Sequence, residues 1–142
     1  MGLIVDTVVF VAFERSRTPV DLSPWEATDE VFISAVTVSE LLVGVHRADT
    51  ESRRANRAAF VEAILAGITV LDFTTQVARV HAELHAELIG QGQVIGAHDL
   101  IIAATARLHG MSLLTDNVAE FSRVPGLKVI PFGPAALPRG TS

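Results

Sequence analysis

Four carboxylic acids in this 142-residue chain stand where apolar runs end or begin. Asp6 closes Leu3-Ile4-Val5 and Asp116 closes Ser112 to Thr115. Glu40 follows the run Val31 to Ser34 at a short distance, and Asp99 opens the buried-looking run Leu100 to Ala106. Each has an ordinary structural reading. Asp6 and Asp99 suit helix N-caps, Glu40 suits the reciprocal half of a capping box with Thr37 as N-cap, and Asp116 suits an Asp-Asn turn. Brought to one place, the four would repel and push one another to protonate. A divalent cation removes that conflict. Oxygen-only donors suit magnesium or manganese, and such an ion lowers the pKa of a bound water and neutralises charge on a phosphoryl group.

Whether the acids meet depends on the elements that carry them. Short β-branched or leucine-rich runs predict five strands: Leu3 to Val5, Val31 to Ser34, Ile68 to Leu71, Ser112 to Thr115 and Leu127 to Ile130. Between them the sequence predicts helices. These cover Thr7 to Glu14, a short one at Pro24 to Ala27 capped by Ser23, Thr37 to about Arg47, and Glu51 to Ala66 ended by Gly67. A long helix then runs from Thr74 or Thr75 to Ile89, the Asp99 helix runs to about Leu108 with Gly110 closing it, and Val118 to Phe121 makes one turn. Strands alternating with helices give a parallel sheet covered on both faces. Ligands of such sheets bind beyond the carboxyl ends of the strands. Asp6, Glu40 and Asp116 all follow strands. The Asp99 helix runs antiparallel to the strand it leads into, so its start belongs at the same edge.

Composition narrows the classes. Apolar residues make up 49% of the chain, enough for one domain with a real core, taken as residues 1–132 with a poorly ordered tail over 133–142. The net charge of −5 argues against a protein that binds nucleic acid over its whole surface. Arg15 and Arg17, and the group Arg47, Arg53, Arg54 and Arg57, are local exceptions that suit either phosphate contacts or a solvated helix face. The absence of cysteine excludes disulfides, thiolate zinc sites and cysteine nucleophiles. Asp6 interrupts the apolar N-terminal run, which is too short to span a bilayer, so no membrane association and a cytoplasmic protein are expected. His81 and His85 have zinc-compatible spacing, but Ala82 stands where a metalloprotease signature needs glutamate, and a helix surface is the better reading. No phosphate-binding glycine motif occurs.

Four stretches in order, LIVDT at Leu3 to Thr7, TVSELLVG at Thr37 to Gly44, IGAHDLIIAATA at Ile95 to Ala106 and LLTDNVAEF at Leu113 to Phe121, resemble the PIN-domain family, specifically VapC-type ribonuclease toxins of toxin–antitoxin pairs. The resemblance implies a three-layer α/β/α fold with a five-stranded parallel sheet in order 3-2-1-4-5. It implies a magnesium- or manganese-dependent endoribonuclease whose metal-activated water attacks an RNA phosphate. Carried over, the acidic quartet falls on Asp6, Glu40, Asp99 and Asp116, with Asn117 as the alternative to Asp116. Thr7 and Thr115 then orient carboxylates. The resemblance also implies an RNA substrate, a VapB-type antitoxin partner and a homodimer. Two other readings compete: a phosphoacceptor receiver-like domain, and a catalytically silent PIN module that binds RNA or a partner.

Overall fold

The run Leu3-Ile4-Val5 becomes the middle of the sheet because it has no polar face to offer. In the computed structural model, which describes residues 2–133, β1 (Gly2–Val5) lies between β2 (Glu30–Ser34) and β4 (Ser112–Thr115). Leu3, Ile4 and Val5 are fully buried, as expected of a central parallel strand covered on both faces. β3 (Thr69–Leu71) and β5 (Val129–Pro131) complete the sheet at its two edges. All pairings are parallel and the order is β3-β2-β1-β4-β5. In register, Ile4 stands beside Phe32 and Leu113, Ile33 beside Val70, and Leu114 beside Ile130. This order excludes the flavodoxin-like 2-1-3-4-5 arrangement that a receiver-like domain requires.

Side chains alternate across the sheet, and the core divides accordingly. Leu3 and Val5 pack with α1 (Thr7–Arg15), α3 (Ala35–His46) and α4 (Glu51–Gly67), where Val9, Phe10, Phe13, Leu41 and Ile64 are buried. Ile4 points the other way, against α5 (Thr75–Gly90), α6 (Ala97–His109) and α7 (Val118–Phe121), where Val77, Leu84, Leu88, Ile102 and Phe121 are buried. The result is three layers, helix on sheet on helix. The short α2 (Ser23–Glu26) precedes β2.

Several boundaries differ from the sequence expectation for local reasons. α3 starts at Ala35, with no loop after β2. Ser34 ends the strand and also caps the helix, its hydroxyl accepting the Val36 N–H at 3.2 Å. Thr37 is therefore not the N-cap but a fully buried residue inside the helix, and the capping box with Glu40 does not form. Ser23 likewise lies within α2, its hydroxyl donating to Asp21 Oδ1 at 2.6 Å. Gly67 is the last residue of α4 rather than its cap. Gly110 closes α6 at φ 64° as expected of a left-handed C-terminal residue.

The end of α1 is less usual. Thr18 N–H donates to the Phe13 carbonyl and Arg17 N–H to the Glu14 carbonyl, the paired bonds of a Schellman closure. The left-handed position of that closure, normally glycine, is Arg17 at φ 54°. A side chain there costs roughly 1–2 kcal/mol.

At the far end of the sheet, Phe132 donates its N–H to the Thr115 carbonyl at 2.7 Å and is buried against Phe13 and Trp25, with ring centroids 5.7 and 5.6 Å away. The chain thus remains fixed through Phe132. The expected tail lies, from residue 134 on, outside the described residues. Among the described residues no helix is long and apolar enough to cross a membrane.

Candidate active site

The strands of a parallel sheet release their chain at one edge, and here two of them pass straight into the next element. β1 gives Asp6, the first position outside the strand, and α1 begins at the next residue. Asp6 is almost fully buried. It makes no side-chain cap to α1. Instead Oδ2 accepts the Thr115 hydroxyl at 2.7 Å, from the last residue of β4. Asp6 N–H donates to the Leu114 carbonyl at 2.9 Å. These bonds tie Asp6 to the neighbouring strand, and the residue lines the cleft. Burial pushes the Asp6 carboxyl up to about 6; the Thr115 hydroxyl opposes the rise, and the negative Glu40 and Asp116 add to it.

Glu40 lies in the second turn of α3, half-buried. Its Oε1 accepts the Thr7 hydroxyl at 2.8 Å, and that hydroxyl also lies 2.9 Å from Thr37 Oγ1. Its Oε2 faces His98 Nδ1 at 3.6 Å. Thr7 and Thr115 thus each hold a carboxylate from a neighbouring element.

Asp99 sits in the first turn of α6, whose N-cap is Gly96 and has no side chain to offer. The cap comes from elsewhere. Glu120 of α7 accepts the Gly96 N–H on Oε1 at 2.8 Å, and its Oε2 accepts Asn117 Nδ2. Asp99 is free of capping duty and faces the cleft. Its carboxyl is pushed up to about 7, first by burial and then by the charge of Asp6, with Glu120 and Glu40 adding to it.

Asp116 is exposed at the tip of β4, and Asn117 turns away, its N–H donating to Thr115 Oγ1 at 2.9 Å and its amide held by Glu120. Asp6, Glu40, Asp99 and Asp116 all line one cleft of about 370 Å³, floored by Val8, Val11 and Ala12 of α1. A second, shallower depression beside it is lined by Glu40, Gly96, His98 and Asp99. All four sequence-predicted acids are therefore brought to one place; of the two candidates after β4, Asp116 faces the cleft. His81 and His85 lie on α5 with ring centroids 5.8 Å apart, and neither lines this cleft.

The donors are all oxygens, and among the described residues the only ion-pair partner any of the four has is His98. Neutralising cations from the protein are thus nearly absent where negative charge is concentrated, a donor set that fits a hard divalent ion. Among the described residues no three of these side chains already close around a single point; the carboxylates stand spaced across the cleft.

Sequence reasoning missed two residues here. Glu120 lies within the stretch Leu113 to Phe121, but its partner Gly96 is 24 positions away, and no local pattern marks such a bond. Arg15 suits either a phosphate contact or a solvated helix face by sequence, but its place on the cleft wall lies on the i, i+3, i+4, i+7 face it shares with Val8, Val11 and Ala12.

Comparison with known proteins accords with this geometry. The PIN domain family model matches residues 3–127. Ribonuclease VapC1 of Rickettsia felis is 40% identical over 130 residues, spanning 92% of this chain and 96% of that protein. The tRNA(fMet)-specific endonuclease VapC of Salmonella typhimurium is 33% identical over 102 residues, 72% of this chain and 75% of that protein. Among solved structures, VapBC2 from Rickettsia felis bound to a promoter DNA fragment superposes with TM-score 0.84 at 25% identity, covering 94% of this chain and 100% of that one. FitAcB from Neisseria gonorrhoeae superposes with TM-score 0.79 at 27% identity, covering 95% and 99%.

Proposed function

The chain belongs to the PIN-domain family, and we infer from this that it is a toxin endoribonuclease of the VapC type, paired with an antitoxin protein. The relatives named as ribonucleases are similar over nearly the whole chain, and the similar solved structures are toxin–antitoxin complexes. Within that reading we propose that Asp6, Glu40, Asp99 and Asp116 are the catalytic acids and that the reaction depends on magnesium or manganese. The observation that carries it is the meeting of these acids from four separate segments of the chain in one cleft. We further propose that the protein works as a homodimer.

Asp6 and Asp99 are the residues that would hold the ion most directly, with Asp116 lining the same cleft. A bound magnesium or manganese supplies an activated water and offsets charge on the phosphoryl oxygens. The protein's own groups do the rest. Thr115 holds Asp6 in one orientation through Oδ2. Glu40, oriented by Thr7 and partly open to solvent, is placed to accept the proton of the attacking water. His98, beside Glu40 and exposed, can donate to a phosphate oxygen or relay that proton onward. The phosphodiester bond to the leaving ribose oxygen breaks as the new P–O bond forms, and the leaving oxygen takes a proton from solvent water.

The test is to incubate the purified chain with total cellular RNA, with and without magnesium, and to map the cut ends. Cleavage is expected only with the divalent ion. Asp99→Asn is expected to lose more than about 100-fold in rate, beyond the 10–100-fold typical of residues standing behind the ligands, with an unchanged circular dichroism spectrum. Full activity in that variant would refute the assignment. Expression of the chain alone is expected to arrest growth, and co-expression of its antitoxin to relieve the arrest.

A further inference from the structure

We propose that Arg15, on the wall of the acidic cleft, and Arg17, in a separate depression just past the end of α1, each hold a backbone phosphate of a single-stranded RNA leading out of the cleft. The proposal rests on the nuclease reading above and extends it to how the substrate is gripped.

The cleft poses an electrostatic problem. Four carboxylates line it in a chain of net charge −5. A bound cation offsets that charge at the scissile phosphate, but the flanking phosphates still face a negative wall. Among the described residues Arg15 is the one cationic side chain on that wall. It shares a helix face with Val8, Val11 and Ala12. A helical side chain leans over the turn before it, so Arg15 reaches back along this face toward the acids. The nine residues of α1 span about 13 Å at 1.5 Å per residue, room for more than one nucleotide. Val8 is 36% exposed, an apolar surface for a ribose or base to rest on.

The fold leaves these two arginines uncommitted while it uses others. Arg53 is paired with Asp49, Arg57 bonds the Gly44 carbonyl and faces Glu14, Arg54 bonds the Ala48 carbonyl, and Arg123 bonds the Val94 carbonyl. Among the described residues the side chains of Arg15 and Arg17 make no such bond, and both are exposed. Arg17 lines a separate depression of about 720 Å³ with Glu14, Thr18, Arg53 and Asn56, just past the end of α1. Guanidinium groups match phosphate with paired donors.

Arg17 adds an independent argument. It sits at φ 54°, the left-handed closing position of α1, where glycine is the less strained residue. Arginine at this position does not help the fold. Replacing it with glycine therefore separates the two roles: stability should hold or rise while RNA affinity falls.

The experiment uses the full chain carrying Asp99→Asn, with magnesium, and a labelled 20-nucleotide single-stranded RNA of mixed sequence, with affinity measured from low to moderate salt. Each of Arg15→Ala and Arg17→Gly is expected to flatten the plot of log affinity against log salt by about 0.7, the contribution of one phosphate contact on a single strand, which is about five- to tenfold in affinity at 50 mM salt. Arg17→Gly is expected to melt no lower than its parent. Unchanged slopes and affinities in both variants would overturn the proposal. So would variants that bind RNA normally but lose affinity for the antitoxin, which would make this face a protein-docking surface. Failure of the nuclease reading looks different: the chain with Asp99 restored would then leave RNA intact in the presence of magnesium, whatever the two arginines do.

Discussion

Asp6 is 2% exposed yet carries an ionisable group, and folding changes its acidity in a direction that can be measured. A carboxyl pushed from its ordinary 3.8 to about 6 holds its proton more tightly in the folded chain than in the unfolded one. The folded state has the full benefit below pH ~4 and loses it as pH rises through about 6. The difference corresponds to about 3 kcal/mol. Asparagine imitates the protonated form, so Asp6→Asn should equal its parent in stability near pH 4 and exceed it by about 1–3 kcal/mol at pH 8, in urea unfolding with a chelator present. A gap that stays constant with pH would contradict the burial argument. Asp99, pushed up to about 7, titrates in the next window. Binding of manganese must displace the protons on both groups, so its affinity, followed by calorimetry, should rise steeply between pH 5.5 and 8.

At the scale of elements, α7 is one turn long, and its importance lies in where it reaches. Glu120 accepts the Gly96 N–H at the start of α6, and Arg123, just beyond the turn, donates to the Val94 carbonyl at 2.8 Å. Both bonds hold the segment that presents Asp99 and His98. Glu120→Ala should leave the fold intact at a cost of about 0.5–2 kcal/mol, the usual loss for a removed cap. It should lower manganese affinity 10–100-fold in calorimetry, as loss of a supporting residue does. Glu120→Gln, which keeps an acceptor for Gly96, should recover part of that. An alanine variant with parental affinity would show that α6 positions Asp99 unaided. This staple also marks what the sequence could and could not disclose. β1 to β5 were visible as β-branched and leucine-rich runs, and the long helices by their apolar period. The edge shared by the acids followed from strand–helix alternation. The strand order came only through family resemblance, since no local pattern encodes which strands pair. The start of α3 was misplaced because Ser34 serves strand and cap together. The Glu120–Gly96 bond was invisible because it joins distant segments through a backbone N–H that every residue but proline carries.

At the scale of the molecule, folding and chemistry are divided between different parts. The two apolar cores lie on opposite faces of the sheet and close without help from the cleft: Leu3, Val5, Phe10 and Phe13 on one side, Ile4, Leu84, Ile102 and Phe121 on the other, all buried. The acids occupy the rim, where Asp6 and Asp99, whose carboxyls burial pushes up, work against the fold rather than for it. A chain built this way would not need the proposed ion to fold. It differs from small zinc domains, whose binding energy is folding energy. Chelation should therefore abolish RNA cleavage while leaving the far- and near-ultraviolet circular dichroism and the cooperativity of unfolding unchanged. Added manganese should raise the melting temperature at pH 8 by mass action on the folded state alone, and by much less in Asp6→Asn. A chain that lost its near-ultraviolet signal with the chelator would place the ion among the determinants of the fold, and the separation of rim from core drawn from the burial of these side chains would be wrong.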